Sequence, residues 1–459
     1  MIVPRSRLLF WVALVVLPFS LLAAVEPGAA TVSFCFMGAL AALALGDALL
    51  ARRGLAGIEL RLPEVARMSR NRESRLELRI RNPTQEPRTV RLALALPREI
   101  QLDQPEMEAR LPAQSEWSRL EWACRPLRRG RYEVNESHVE GSSPLGFWGV
   151  RCRMRTPSEI RVYPNLLTER KNLAALFLNR GMFGMHARRQ VGKGRDFEKL
   201  REYVPGDGYD EIHWKATAKR GRPITKVFQI ERTQEVYVII DASRLSARTQ
   251  PLAKAASLAD AVASGKTAGG ETTVLERFIT AALVLGLAAE QQGDLFGLLT
   301  FADRVGTFVR ARNGSAHYSA CRDALYTLEP GLVTPDFDEL CAAIRLRLRR
   351  RALLVVLTSL DDPLLAAGFA SSIELICRQH LVLVNMIQPP GVAPLFSSAD
   401  AASTDDLFRH LGGHLLWRKL RELEKVLKRR GVQFSLLQNE QLSAQLVSQY
   451  LNVKQRQLL

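Results

Sequence analysis

Cysteine is sparse and unpaired in this chain. Six cysteines among 459 residues, Cys35, Cys124, Cys152, Cys321, Cys341 and Cys377, stand singly, with no Cys-x-x-Cys among them. That spacing excludes a disulfide framework and a cysteine zinc site, and it fits a reducing compartment. Seven histidines include no His-Glu-x-x-His, the helical spacing of a zinc hydrolase. A phosphate-cradling Walker loop is also missing. Gly265-Lys266-Thr267 comes nearest, but the glycine needed five positions before the Gly-Lys pair is Asp260. No zinc knuckle and no aromatic-interleaved basic strand is present, which argues against nucleic acid as a partner. Acidic residues are in deficit, 47 against 64 Lys and Arg, giving a net charge of +17. The excess suggests an anionic partner surface, or an arginine-rich exterior that water simply solvates.

Long apolar runs are confined to the first 50 residues. Leu8 to Val25 and Ala29 to Leu50 flank a Glu26-Pro27-Gly28 break. Each is long enough to cross a hydrocarbon core, which takes roughly 18–22 residues. Arg5 and Arg7 precede the first run, and Arg52 and Arg53 follow the second. The positive-inside rule then places both ends, and the bulk of the chain, in the cytoplasm. The competing reading is a cleaved signal peptide ending near Leu22-Ala23-Ala24, with the second run as a stop-transfer segment. Asp47, near the end of the second run, is either an intramembrane functional carboxylate or an interfacial, snorkelled one.

From about Gly57 to Tyr163 the pattern changes to period two. Leu76-Glu-Leu-Arg-Ile-Arg and Val90-Arg-Leu-Ala-Leu-Ala-Leu alternate apolar with other residues, as half-buried strands do. Further short strands with turn signals predict a small antiparallel sandwich, for which an immunoglobulin-like fold fits. A helix from Glu169 to Leu178 follows. Then Arg180, Arg188, Arg189, Lys193 and Arg195 form a basic, glycine-containing approach, suited to phosphate or an acidic surface and equally to a solvated linker.

The most informative stretch is Gly192 to Arg220. Its Pro205-Gly206-Asp207 turn predicts a short helix on each side, the first holding Phe197, Leu200 and Arg201. The second starts at Asp210 as N-cap and carries Ile212, Trp214 and Ala218. The pattern Arg201-Glu202-Tyr203-x-Pro205-Gly206-Asp207, then Ile212-x-Trp214-Lys215-Ala216-x-Ala218-x-Arg220, resembles the signature of the bacterial family called domain of unknown function 58. His213 stands where that pattern usually has an acidic residue. The resemblance implies a membrane-anchored protein with a von Willebrand A-like α/β domain, often paired with MoxR-type AAA+ ATPases, and the apolar hairpin makes the chain an expected multi-pass protein of the bacterial inner membrane. Arg201, Glu202, Tyr203, Asp207, Trp214, Lys215 and Arg220 would then dock a protein partner or lock the segment onto the α/β domain. Trp packing and charge pairing tilt this reading towards the lock.

Beyond Val236, β-branched strands alternate with helices, which predicts a mostly parallel sheet covered on both faces. Ligands of such sheets sit at the carboxyl ends of strands. The first strand, Val236 to Ile240, ends in Asp241-Ala242-Ser243-Arg244-Leu245. Von Willebrand A domains bind Mg²⁺ through Asp-x-Ser-x-Ser here, because a small hard cation needs converging oxygens. Asp241 and Ser243 match, position 245 is Leu, and Ser359 stands where the family commonly has Asp. A cofactor is therefore not expected. A metal site would rest on Asp241 and Ser243, which otherwise bond local amides. Residues 249–273 read as an insertion. His410 and His414 share a helix face without a third ligand, and Arg345 to Arg351 is a basic run at a helix end. No nucleophile–base–orienter set is visible.

The expected organisation is a transmembrane hairpin (1–54), a β-sandwich (55–163), a basic linker with the signature (164–235) and a von Willebrand A-like, Rossmann-like domain (236–459). The expected function is a non-enzymatic, membrane-anchored adaptor with a MoxR-type ATPase, membrane lipid and other proteins as partners. The alternative is a metal-dependent adhesion-type receptor using the Asp241 loop.

Overall fold

The computed structural model describes residues 1–25, 27–51, 55–179, 191–205, 208–229, 234–250, 272–395, 397 and 403–456. The chain divides into two units, Met1–Asn165 and Leu166–Leu459.

In the first unit the two apolar runs are helices α1 (Ser6–Val25) and α2 (Ala30–Ala51). Both are long and apolar enough to cross a membrane, and only 6% and 11% of their apolar windows are buried. So much exposed hydrocarbon is unfavourable in water and matches lipid. Phe19 stacks on Phe36 across the pair, 4.8 Å between ring centroids.

A short strand that the sequence pattern did not reveal, β1 (Ile2–Pro4), precedes α1 and pairs antiparallel with β10 (Trp148–Tyr163), Ile2 opposite Val150. Arg5 reinforces the join through Glu140 at 2.9 Å. Arginines at 5 and 151 hold the Glu140 carboxyl below the usual carboxylate range, against the opposing effect of its partial burial. Cleavage near Ala24 would strip this strand from the sheet.

The period-two stretches are strands. In β4 (Ser74–Asn82), Leu76, Leu78 and Ile80 point into the core, while Arg75, Glu77 and Arg79 point out. β4 lies between β2 (Glu59–Arg61) and β8 (Ser115–Pro126), with β6 (Ile100–Leu102) beyond β8. The second sheet runs β1-β10-β9-β5-β7, where β9 is Gly130–Ser142, β5 Arg88–Leu94 and β7 Met107–Leu111. One core joins the two layers, with Trp122 fully buried and its Nε1 donating to the Gln104 carbonyl at 2.9 Å.

The expectation of a purely antiparallel sandwich is corrected at one seam. β3 (Val65–Ser69) runs parallel to β10, Val65 opposite Glu159. The cause is the length of β10. A register shift between Arg155 and Ser158 separates its first half, which carries β1, from its second half, which carries β3.

Asp47 also departs from expectation. It is not snorkelled into water, because the carboxylate is buried in protein at 2% exposure. It accepts hydrogen bonds from Ser143 Oγ at 2.6 Å and from the amides of Leu145 at 3.0 Å and Phe147 at 3.3 Å. Trp148 Nε1 adds a bond to the Ala44 carbonyl at 2.8 Å. The end of α2 is thereby stapled to the loop between β9 and β10, so both ends of the hairpin are fastened to one sandwich.

The second unit is built on a six-stranded sheet in the order β17-β16-β13-β18-β19-β20. These are Val305–Arg312, Leu295–Phe301, Glu235–Asp241, Leu353–Leu357, Leu381–Ile387 and Val432–Leu437. All neighbours are parallel except the edge strand β17. The central strands are apolar on both sides because helices cover both faces. Helices α3 (Leu167–Asn179), α5 (Val274–Gln291), α6 (Ser315–Leu325) and α10 (Leu442–Gln455) pack on one face, with Val236, Val238 and Ile240. Helices α7 (Phe337–Arg347), α8 (Pro363–Cys377) and α9 (Thr404–Arg429) pack on the other, with Tyr237 and Ile239. Helix α4 (Trp214–Arg220) lies outside both layers' cores.

Candidate functional site

The chain order of the parallel strands reverses at β13, which has the later strand β16 on one side and β18 on the other. At such a switch point the connecting segments diverge and leave a crevice at the carboxyl ends of the strands. Asp241 ends β13, and Thr358 directly follows β18. Thr358 Oγ1 donates to Asp241 Oδ2 at 2.6 Å, and the Ser243 amide donates to Asp241 Oδ1 at 2.8 Å. Ser243 Oγ in turn accepts the Leu245 amide at 3.3 Å, and Ser246 Oγ donates to the Ser243 carbonyl at 2.8 Å. Asp241, Ser243 and Thr358 are all fully buried. Burial pushes the Asp241 carboxyl above the usual carboxylate range, and the bonds from Ser243 and Thr358 oppose that shift.

These donors fit Mg²⁺ poorly. Both Asp241 oxygens already accept hydrogen bonds, and Leu245 is a buried apolar side chain where a third loop oxygen would be needed. Among the described residues no group of three or more His, Cys, Asp or Glu side chains is placed to hold a metal. The arrangement closes a loop across two strand ends. Nearby, Arg248 pairs with Asp361.

The signature segment folds differently from its expectation. Residues Val191–Glu202 form strand β11, not a helix, and pair antiparallel with β12 (Ile224–Gln229). The partner strand lies some two dozen residues downstream, so ladder bonding overrides the local turn signal. Nor is Asp210 the N-cap. It lies in a 3₁₀ turn, Tyr209–Glu211, and α4 starts after His213, whose Nδ1 accepts the Ala216 amide at 3.0 Å. His213 thus supplies the acceptor that an acidic residue would supply at this position. Gly221, at φ +67°, closes α4 in the left-handed conformation. The helix is held to β12 by the Ile224 amide, which donates to Thr217 Oγ1 at 3.0 Å, and by buried Ile212.

The polar signature residues lie around this ribbon. Glu202 pairs with Arg222 at 2.8 Å, both largely exposed. Tyr203 stacks on Tyr209, 6.4 Å between centroids. Trp214 and Lys215 open α4, Arg220 closes it, and Arg201 sits near the end of β11. Asp207 lies outside the described residues. Trp214 is 68% exposed and Tyr209 78% exposed. The indole therefore faces solvent.

Other features that drew attention take ordinary roles. His414 Nδ1 accepts the Leu395 amide at 3.1 Å, and its ring stacks on Trp417. Arg347 lies over the Phe308 ring, 5.1 Å from its centroid. Of the basic approach, residues 180–190 lie outside the described residues, as do 251–271 of the insertion, including Gly265-Lys266-Thr267. The ends of the insertion pair as a small ribbon, β14 (Thr249–Gln250) with β15 (Thr272–Thr273). Sequence reasoning missed Asp294, which is buried and accepts from Tyr450 Oη, from Lys454 Nζ at 2.8 Å and from the Gln234 amide at 3.2 Å. Lys454 and Tyr450 share a face of α10 at i, i+4, which is the faint signal the sequence offered.

Residues 199–264 and 249–393 match the family model described as protein of unknown function DUF58. The DUF58 match therefore spans the end of β11, helix α4, β12, the Asp241 loop and the first four parallel-sheet strands in chain order, with the antiparallel edge strand. None of the curated proteins matches the chain. Among solved structures, BatB from Bacteroides thetaiotaomicron shares 16% identity over 48% of this chain and 99% of its own, at a TM-score of 0.29. An aerotolerance-related membrane protein from Bacteroides fragilis shares 15% over 48% and 98%, at 0.26. The native form of E. coli alpha-2-macroglobulin shares 23% over 24% of this chain, which spans 7% of that protein, at 0.19. Similarity this low carries no functional argument.

Proposed function

We propose that this protein is a non-enzymatic adaptor of the bacterial inner membrane, anchored by the α1–α2 hairpin with the rest of the chain in the cytoplasm. In this reading the second unit is von Willebrand A-like, and a MoxR-type AAA+ ATPase docks on the α4 ribbon during assembly or maturation of protein complexes. The observation that carries it is the exposure of Trp214 and Tyr209 inside the DUF58 match. Large aromatics held rigidly at the surface supply most of the binding energy of many interfaces, and basic neighbours such as Lys215 and Arg220 add steering.

The test is affinity capture of the full-length protein from gently solubilised membranes, with mass spectrometry of what is retained. Wild type and Asp241→Ala should both hold an AAA+ ATPase, and Trp214→Ala should lose it about tenfold or more at unchanged Tm. Absence of any ATPase from wild type refutes the partner. A fall in Tm for Trp214→Ala shows a packed, structural indole and refutes the docking role.

A further inference from the structure

Helix α9 has two apolar sides. Inward, Trp417, Leu420, Leu423 and Leu427 pack on the sheet. The contact is tight, because a Cβ on Gly413 would lie 1.9 Å from the Gly391 carbonyl oxygen. At 100° per residue, the face opposite this contact carries Leu407, Phe408, Leu411 and Leu415. They are 58%, 68%, 43% and 50% exposed and form a patch about 12 Å long over the first turns of the helix. Isolated exposed apolar side chains are ordinary, but three leucines and a phenylalanine together on the outer side of a core-packed helix mark a contact surface.

The same outer stripe continues into cations. Lys419, Lys425 and Arg429 lie along it and form no ion pair among the described residues. The acidic residues near the stripe are largely accounted for. Glu422 is bound by Arg418 at 3.2 Å, and Asp406 by Arg409 at 3.4 Å, leaving Asp405 at the very start of the helix.

We propose that this outer face of α9 lies on an anionic lipid bilayer, with the leucines and Phe408 in the headgroup–acyl boundary and the lysines over the headgroups. Three observations select lipid as the occupant. The patch combines exposed apolar side chains with unpaired cations, as bilayer-surface helices do. The chain as a whole carries a net charge of +17. It also carries two helices long and apolar enough to cross a membrane, so a bilayer is held within reach by the chain itself. This contact is separate from the α4 ribbon, and either can fail without the other.

The experiment uses the full-length protein with Cys35→Ser and Cys152→Ser, which removes the exposed native thiols. Leu411→Cys carries an environment-sensitive fluorophore, and the protein is reconstituted in vesicles doped with a nitroxide headgroup lipid. In phosphatidylglycerol–phosphatidylcholine vesicles the label should be quenched. Quenching should fall in phosphatidylcholine alone or in Lys419→Glu/Lys425→Glu/Arg429→Glu. The triple substitution should shift the seated-to-lifted ratio by about 100-fold or more. A label that stays water-exposed in anionic vesicles overturns the proposal. So does shielding that is equal in both lipids and grows with protein density, because a second copy would then be the occupant.

Discussion

Removing the Asp47 carboxylate isolates the staple between α2 and the sandwich. In Asp47→Ala, Ser143 Oγ and the Leu145 and Phe147 amides lose their acceptor in a buried setting. A hydrogen bond to a carboxylate contributes about 1.5–3 kcal/mol, and a neutral one about 1 kcal/mol. The 3.3 Å bond from Phe147 is the weakest of the three, and water re-solvates part of the opened loop. The net cost should therefore be about 3 kcal/mol. Because about 1.4 kcal/mol is a factor of ten, local opening should rise roughly 100-fold. Hydrogen–deuterium exchange of the full-length protein in lipid nanodiscs reads this directly, in peptides spanning Ser143 to Trp148. Peptides from β4, on the far sheet, should exchange as in wild type. Exchange at Leu145 and Phe147 that rises less than about threefold would refute the staple, since a redundant contact would then be holding the loop.

Further outcomes are expected from the buried groups. The raised carboxyl of Asp241 means that the folded state binds its proton more tightly than the unfolded chain does. Stability from this group is thus lost as pH rises through the folded value. Asp241→Asn keeps an acceptor for the Ser243 amide and can donate to Thr358, so its Tm should exceed wild type above that pH and converge with it below. Insensitivity of both proteins to Mg²⁺ is expected, whereas a Mg²⁺-dependent rise in Tm for wild type alone would revive the metal-dependent receptor. Asp294→Ala should destabilise the second unit by about 3 kcal/mol, through loss of a buried charge pair and a tyrosine bond, and Tyr450→Phe by about 1 kcal/mol in urea unfolding. Burial pushes the thiols of Cys124 up to about 11 and of Cys321 and Cys341 up to about 12. Iodoacetamide at pH 8 should therefore spare them and modify the exposed Cys152, as read by peptide mass spectrometry.

Much of the architecture was written in local periodicity. Apolar runs of bilayer length gave α1 and α2, and alternation gave β4 and β5. Apolar runs rich in Val, Ile and Leu between amphipathic stretches gave β13, β18 and β19 with their intervening helices. Each follows from which side chains must leave water, and a window of a few residues carries that information. The edge strand β17 and helix α6 were missed, since β17 is only partly buried and its mixed residues repeat at neither period cleanly.

Tertiary structure decided what depends on partners distant in the chain. Residues 191–202 are a strand because residues 224–229 offer a ladder, although their own turn chemistry suggested a helix. Asp241 is a closed loop anchor because Thr358, 117 positions away, arrives at the neighbouring strand end. Asp47 is a staple because a loop 96 residues later delivers three donors to it, and Asp294 is satisfied from 156 and 160 residues downstream. In each case the residue type was visible, but its use was set by strand order and register. The exposure of Trp214 and of the outer face of α9 belongs with these. Hydrophobicity alone predicts burial, and only the packed structure shows which apolar side chains remain outside once the cores are full.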